Sequence, residues 1–187
     1  MKEDIEKALE VLKSGGVILY PTDTIWGLGC DATNKDAVEK IYKIKQRSDT
    51  KSLLVLLDNE GKLPSYVQEI PDVAWDLIEL SEKPLTIIYS DAKNLASNLI
   101  ADDGSVGIRI PKDQFCQRLI QRFKKPIVST SANISGEKAP GNFTQISSEI
   151  IDSVDYVVEW RQDDYTIAQA SSIIRLGSNY EIKILRE

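Results

Sequence analysis

The segment VILYPTDTIWGL, residues 17–28, is the part of the chain from which the fold is predicted first. Its opening residues are apolar and of strand length, and Pro21 ends the strand because proline offers no N–H to a sheet. Thr22, Asp23 and Thr24 follow at once. Loops at strand ends are frequent ligand sites. The segment therefore predicts a ligand-contacting loop, although its residues are equally compatible with an ordinary capped turn.

Helices and strands alternate along the rest of the sequence. Apolar residues at helical spacing predict helices at residues 2–14, from an Asn34 cap through Ile44, from Pro71 through Leu80, at 115–123, and from a Thr144 cap through Ile151. Short apolar runs predict strands at residues 53–57, 85–89, 106–110, 127–130, 156–158, 172–176 and 182–185. In 106–110, alternation with Gly107 and Arg109 indicates a half-exposed strand. This interleaving predicts one α/β domain with a mixed sheet, spanning residues 1–187.

Composition excludes several classes of function. The chain has no histidine, which excludes Ser-His-Asp and Cys-His catalysis and zinc sites with histidine ligands. Cys30 and Cys116 are far apart and are interpreted as buried apolar residues. A net charge of −6 argues against a general nucleic-acid coat protein. Neither a membrane-spanning apolar run nor a signal-peptide core is present, so a cytoplasmic location is expected.

A basic cluster surrounds the end of the second predicted helix: Lys40, Lys43, Lys45, Arg47 and Lys51. Cations at a helix C-terminus complement the helix dipole, which is a sufficient structural reason for some of them. Lys45 and Arg47 lie two residues apart, so in extended chain they project to the same side. Arginine offers a planar fork for phosphate or carboxylate, and lysine a point charge. In an acidic protein this cluster indicates an anion site.

A hydroxyl-rich segment, STSANISG at residues 129–136, follows the predicted strand at 127–130. It indicates close approach of a ligand to the backbone, or else a polar turn held by its own side chains. Gly27, Gly29 and Ala32 formally match a dinucleotide-binding GxGxxA, but no helix clearly opens there. None of the three polar segments pairs a strong nucleophile with a base. Catalysis here would depend on positioning and electrostatics, which suits nucleotidyl transfer.

Taken in order, these motifs resemble the YrdC family of TsaC-type threonylcarbamoyl-AMP synthases. The similar segments are PTDTIWGL (21–28), KQR (45–47), SVGIRIP (105–111), STSANISG (129–136), SSII (171–174) and ILR (184–186). The similarity runs from about residue 8 to residue 187. The sequence departs from the family at Ser48 and Ser52, which stand where proline is usual, and at 81–83, where Ser-Glu-Lys replaces Trp-Pro-Gly.

The resemblance implies a fold and a reaction. The fold would be a twisted mixed sheet flanked by helices, with a concave, positively charged face. The enzyme would join L-threonine, bicarbonate and ATP into threonylcarbamoyl-AMP and pyrophosphate, for modification of adenosine 37 in tRNA. Mg²⁺ would enter on the ATP phosphates, without metal ligands of its own on the chain. Transient contacts with tRNA or with tRNA-modification proteins are further expected.

The resemblance also implies roles for individual residues. Lys45 and Arg47 would be catalytic, stabilising the charge that accumulates on the phosphate. The residues implied to bind threonine are Thr24, Lys51, Arg109, Ser129 and Ser171, with Ser172 as an alternative to Ser171. Those implied to bind the nucleotide are Lys45, Arg47, Ser105, Ser131, Asn133 and Arg186. Two other functions stay open: a double-stranded RNA or tRNA-binding module without catalysis, and an enzyme performing carbamoyl chemistry on another amine.

Overall fold

The computed structural model describes residues 1–46, 53–177 and 181–187. Its helices are α1 (Lys2–Lys13), α2 (Lys35–Ile44), α3 (Val73–Leu80), α4 (Gln114–Phe123) and α5 (Ser148–Asp152). Its strands are β1 (Ile18–Tyr20), β2 (Gly27–Gly29), β3 (Leu54–Leu56), β4 (Leu85–Tyr89), β5 (Val106–Arg109), β6 (Ile127–Ser131), β7 (Tyr156–Val157), β8 (Ser172–Leu176) and β9 (Ile182–Arg186). Short 3-10 turns occur at Glu60–Ser65 and Phe143–Gln145.

Within these described residues the strands form one nine-stranded sheet in the order β7-β1-β2-β6-β3-β5-β4-β8-β9. Three pairs are parallel, β1–β7, β3–β5 and β4–β8, and the remaining pairs are antiparallel. The predicted α/β class with a mixed sheet is therefore confirmed. Strands distant in sequence become neighbours, so loops from both ends of the chain meet over the centre of the sheet.

Burial explains why the predicted helices form where they do. The side chain of Asn34 accepts hydrogen bonds from the backbone N–H groups of Asp36 and Ala37, which confirms it as the cap of α2. The apolar faces of α1, α2 and α4 belong to the same buried cluster as the strands. Cys30 and Cys116 are fully buried in that cluster, as expected. We infer from this shared core that residues 1–187 form a single domain.

Two expectations about local structure are wrong. Thr144 does not cap the last helix, because it lies in a 3-10 turn; Ser147 caps α5 by accepting from the N–H of Ile150. The strand at 106–110 is not half-exposed, since β5 is buried along its whole length and Arg109 is only 3% exposed. The alternation with Gly107 and Arg109 reflects a sheet face that carries the functional site, not one facing water.

Strand β2 was not predicted, because the segment after Pro21 was interpreted as a loop. Gly27 and Gly29 lie inside β2, which pairs with β1 and β6. A Cβ on Gly29 would come within 2.5 Å of the Tyr20 ring and 2.9 Å of the Val128 carbonyl. These glycines therefore serve close packing within the sheet, and the dinucleotide-loop interpretation is excluded. No helix in the described part of the chain is long and apolar enough to cross a membrane.

Candidate functional site

A cavity of about 160 Å³ opens on one face of the sheet and brings together six of the predicted site residues. These are Thr24, Arg109, Ser129, Ser131, Ser171 and Arg186. A second cavity, of about 220 Å³, lies near Tyr89 and contains none of them; its charged lining is acidic, from Glu69, Asp72 and Asp91. An anionic nucleotide requires cations, so the first cavity is the candidate site.

The strand register places these side chains on one face. Leu54 of β3 lies between Gly107 of β5 and Ser129 of β6, and alternate residues of a strand share a face. Arg109 and Ser131, each two residues further along its strand, therefore project to the same side. Gly27, paired with Ser131, keeps the floor low, since a Cβ there would lie 3.1 Å from the Ser129 hydroxyl. The cavity is thus a product of sheet order as well as of the motifs.

Arg109 is the buried cation at the centre of this site. Its Nη1 donates to the hydroxyl of Thr24 at 2.9 Å, and its Nη2 donates to the hydroxyl of Thr22 at 3.5 Å and lies 3.4 Å from Asp23 Oδ1. Its Nε is buried without a hydrogen-bond partner among the described residues. The turn at 21–24, interpreted above as either a ligand loop or a capped turn, is both, because its internal hydrogen bonds orient Thr24 toward the cavity.

Ser171 and Arg186 form the opposite wall. The Ser171 hydroxyl shares a 2.8 Å hydrogen bond with the hydroxyl of Thr86, and Arg186 Nε donates to the Ser171 carbonyl at 2.8 Å. Ser172, the alternative to Ser171, begins β8 and does not line the cavity. Burial, and then the nearby charge of Arg109, lower the pKa of Arg186. Two guanidinium groups facing one cavity repel each other, and an anion bound between them would relieve that repulsion.

Lys45 connects the basic cluster to the hydroxyl-rich loop. It caps α2 at its C-terminus, is 3% exposed, and its ammonium donates to the carbonyls of Ser131 at 2.6 Å and Asn133 at 2.7 Å. In the other direction, the N–H of Ser135 in this loop donates to the Lys45 carbonyl at 3.0 Å. The end of α2 and the hydroxyl-rich loop therefore lie in contact. Lys45 itself does not line the cavity, and two of its three N–H groups already hold carbonyl oxygens.

The sequence is similar to those of several known proteins. The model of the Sua5/YciO/YrdC family, described as "Telomere recombination", matches residues 10–187. The chain belongs to this family. The threonylcarbamoyl-AMP synthase of Pseudoalteromonas translucida is 37% identical over 158 residues, covering 83% of this chain and 84% of that protein. A putative threonylcarbamoyl-AMP synthase of Methanocaldococcus jannaschii is 32% identical over 188 aligned residues, covering 98% of this chain and 87% of that protein.

Solved structures of the family show the same fold. Escherichia coli YciO superposes with a TM-score of 0.86 at 25% identity, covering all of this chain and 90% of YciO. Pyrococcus abyssi Sua5 complexed with L-threonine superposes with a TM-score of 0.85 at 23% identity. It covers 97% of this chain, which spans about half (53%) of the length of Sua5. At that identity the likeness to Sua5 shows the fold alone.

Besides Lys45, four more of the family residues inferred from the sequence lie outside the cavity lining or outside the described residues. Arg47 and Lys51 fall outside the described residues, so their roles stay predictions. Asn133 donates to the carbonyls of Ile134 at 2.8 Å and Glu137 at 2.9 Å, and so shapes the loop. Ser105 is also absent from the lining.

Ser105 immediately precedes β5, the strand that ends in Arg109. The two residues are four apart on an extended strand, which corresponds to roughly 13 Å. Its hydroxyl donates to Asp103 Oδ1 and accepts a hydrogen bond from Arg175 at 3.0 Å. Hydrogen bonds to Asp103 from the Ser105 hydroxyl, from Arg175 and from the Ser105 N–H lower the pKa of Asp103 to about 2. A nucleotide reaching Ser105 would have to extend along β5 beyond the cavity.

Two residues that shape the cavity were given no role by the sequence. Trp26 lines it, and its ring packs against Phe143 with centroids 4.9 Å apart. Thr86 is fully buried on β4 and holds the Ser171 hydroxyl. The sequence signal that could have identified Thr86 is a threonine within the otherwise apolar run 85–88, because a buried polar group requires a hydrogen-bond partner.

Proposed function

We propose that this chain is an L-threonylcarbamoyladenylate synthase, which makes threonylcarbamoyl-AMP and pyrophosphate from L-threonine, bicarbonate and ATP. The observation that carries the proposal is the single cavity in which Arg109 and Arg186 face each other among hydroxyl groups. Family relatives named for this activity, at up to 37% identity, support it. The hydroxyl groups that line the cavity have no histidine to activate them, since the chain contains none, and this favours a mechanism without a covalent enzyme intermediate.

In this proposal the reaction proceeds in two steps. The neutral amine of threonine attacks the carbon of bicarbonate, a C–N bond forms, water leaves, and threonine N-carboxylate results. An oxygen of that carboxylate attacks the α-phosphorus of ATP, and the bond to the bridging oxygen of the β-phosphate breaks. Pyrophosphate carries away the electron pair of that bond. Placing three substrates in line supplies much of the rate acceleration, about 7–11 kcal/mol where orientation is ideal.

The chain's own residues act by binding and orientation. Arg109 and Thr24 are positioned to hold the threonine carboxylate, because the guanidinium is fixed by the turn beneath it. Ser129 and Ser171 supply further hydroxyl groups to the lining of the cavity. Ser131 and Arg186 bind the nucleotide in this proposal, which is supported by their presence in the same cavity as Thr24 and Arg109.

The remaining assignments belong to the proposal as well. Lys45 acts by fixing the loop carbonyls that shape the nucleotide side of the cavity. The phosphate contacts of Arg47, the pocket contacts of Lys51 and the nucleotide contacts of Ser105 and Asn133 rest on the family resemblance. Mg²⁺ would be held mainly by the ATP phosphates, where it would neutralise part of their charge. A cytoplasmic location and transfer of the product toward tRNA complete the proposal.

The decisive experiment measures pyrophosphate release from ATP by the purified chain. Release should require both L-threonine and bicarbonate, and mass spectrometry should detect threonylcarbamoyl-AMP. Release that persists without either substrate rejects the scheme. Testing other amino acids and amines one at a time separates threonine from another carbamoyl acceptor, because only the true substrate should stimulate release.

The nucleic-acid-binding alternative makes a different prediction. Binding to RNA phosphates needs exposed cations, whereas Lys45 and Arg109 are each 3% exposed and already engaged by protein oxygens. A binding module would hold double-stranded RNA with steep salt dependence and would not turn over ATP. RNA affinity at moderate salt together with absent turnover would favour that function over the synthase.

A further inference from the structure

A segment between the last helix and β8 reaches the site at its final residue without belonging to any motif of the family. This segment, residues 160–170, is called the arch here. Its final residue, Ala170, lines the cavity beside Ser171. The N–H of Ala168 donates to the carbonyl of Gly141 at 2.9 Å, and the Asn142 amide donates to the carbonyl of Tyr165 at 3.1 Å. The arch is therefore tied to the loop that follows STSANISG.

At its other end the arch is tied to the threonine turn by one side chain. Arg161 Nη1 donates to the backbone carbonyl of Thr22 at 3.0 Å, across 139 residues of sequence. Its Nε and Nη2 both donate to Asp164 Oδ2, at 3.2 and 2.9 Å. The guanidinium is thus held in plane by the carboxylate while its remaining edge contacts the turn. Such a fork is specific to arginine.

Thr22 transmits this contact to the cavity. Its hydroxyl shares a 2.8 Å hydrogen bond with the hydroxyl of Thr24 and donates to the carbonyl of Ile25 at 2.8 Å. Arg109 contacts both of these threonine hydroxyls. Arg161 therefore fixes the backbone of Thr22 while Arg109 meets its side chain. A small crevice lined by Thr22, Thr24 and Arg161 lies behind the cavity, so this contact supports the cavity from its rear.

The backbone of Arg161 is unusual for a residue with a Cβ. Its φ is +71°, in the left-handed region, which glycine adopts without steric cost and other residues rarely adopt. Such a conformation persists only where the surroundings hold it, and it is concentrated at functional sites. Here the contacts to Thr22 and Asp164 and the ring of Trp160, 5.7 Å from the guanidinium, hold it.

We propose that Arg161 is a positioning residue for threonine: through the Thr22 carbonyl it fixes the Thr24 hydroxyl and Arg109 in their binding geometry. This inference rests on the proposed function. Threonine affinity depends on Arg161 more than ATP affinity does, because the arginine supports the threonine side of the cavity. Displacement of a positioned group by about 1 Å can cost on the order of 100-fold in rate.

The test compares three variants by pyrophosphate release, by threonine binding in calorimetry and by thermal unfolding. Arg161→Gly removes the guanidinium and relieves the left-handed backbone. Lys124→Gly is the matched control: Lys124 is also a cation at positive φ, +61°, but it is an exposed residue at the end of α4. Arg161→Lys keeps a cation that can reach Thr22 without forking to Asp164.

The expected result for Arg161→Gly is a rise of about tenfold or more in the KM and Kd for threonine. Its KM for ATP should stay within about twofold, and it should stay folded, because relief of the left-handed backbone offsets part of the stability lost with the guanidinium contacts. Arg161→Lys should recover part of the threonine affinity, and Lys124→Gly should match wild type. Unchanged threonine constants in a folded Arg161→Gly overturn the inference, as does unfolding of both Arg161 variants. A wild-type chain that neither turns over nor binds threonine overturns the proposed function and this inference together; failure of the variants alone overturns only the latter.

Discussion

Arg109 Nη1 donates to the hydroxyl of Thr24 at 2.9 Å, joining residues that are 85 positions apart in the chain. The contact brings the end of β5 against the turn that follows β1, and it fixes both the direction of the guanidinium and the rotamer of the threonine. Because Asp23 lies 3.4 Å from the same guanidinium, its carboxylate balances part of the positive charge, and the guanidinium can still bind an anion in the cavity.

Arg109→Lys should abolish most of the activity with a smaller effect on folding. Lysine keeps the charge but cannot contact Thr24, Thr22 and an incoming carboxylate at once, so kcat/KM for threonine should fall on the order of 100-fold. Initial rates at varied threonine measure this loss. Arg122→Lys, at a surface ion pair with Glu6 of 3.8 Å, is the control and should behave as wild type. Full activity in the Arg109 variant would contradict the assignment.

Lys45→Met should destabilise the chain and also distort the nucleotide side of the cavity. It removes the ammonium from the carbonyls of Ser131 and Asn133. The Ser131 carbonyl keeps the N–H of Asn133 as a donor, but the Asn133 carbonyl loses the ammonium, and an orphaned buried acceptor costs about 1–3 kcal/mol. Denaturant unfolding measures the stability loss. Lys43→Met, two residues earlier and exposed, should change little. An unchanged midpoint for Lys45→Met would show that the ammonium does not support the loop.

Ser171 and Ser172 can be distinguished directly. Ser171→Ala removes a hydroxyl from the cavity wall and leaves Thr86 without that partner, so kcat/KM for threonine should fall about tenfold. Ser172→Ala removes a hydroxyl that does not line the cavity, and its kinetics should match wild type. Both are measured in the pyrophosphate assay with threonine varied. The reverse order of effects would transfer the role to Ser172.

Asp113→Asn should stabilise the chain at neutral pH. Burial raises the pKa of Asp113, so the folded state disfavours its charged form, and one carboxylate oxygen is buried without a hydrogen bond among the described residues. Because the folded pKa lies above the unfolded value of 3.8, this cost develops as pH rises through the folded pKa and is absent below about 3.8. Asparagine keeps an acceptor for the N–H of Cys116, which caps α4.

Denaturant unfolding at several pH values tests this prediction. The advantage of Asp113→Asn over wild type should be present at pH 7 and should shrink toward pH 4. Asp113→Ala loses the cap and should be less stable than Asp113→Asn by about 1 kcal/mol. Asp72→Asn is the comparison, since Asp72 caps α3 without a side-chain hydrogen bond. An Asp113→Asn variant less stable than wild type at pH 7 would contradict the argument.

The sequence was sufficient for the framework and for much of the cavity. Asn34 and the apolar residues that follow it specify α2 from the local sequence alone. Lys45 then lies at the end of this helix because it is the next residue in the chain. The meeting of Lys45 with the STSANISG loop could be anticipated because a cationic and a hydroxyl-rich segment each followed a regular element. Structure was needed to show that this lysine is held by carbonyl oxygens and does not face the cavity.

Other features depend on contacts that leave no local pattern. Strand β2 is three residues long and contains two glycines, so neither length nor propensity reveals it; pairing with β1 and β6 creates it. Ser105 and Arg109 share one motif, yet an extended strand necessarily separates their side chains along its axis. Arg161 contacts a backbone carbonyl 139 residues away. Because every residue has a backbone carbonyl, this contact does not depend on the side chain at position 22 and leaves no motif in the sequence.

The pairing of β9 with β8 at one end of the sheet places Arg186 in the same cavity as Thr24 from the opposite end of the sequence. A chain in which β9 has detached therefore possesses no complete pocket, even if the other strands remain paired. Ligand binding is then linked to the pairing of β9 with β8, because a ligand that needs the complete pocket stabilises only the state in which β9 is attached. Saturation with nucleotide and amino acid should therefore slow amide hydrogen exchange in β8 and β9.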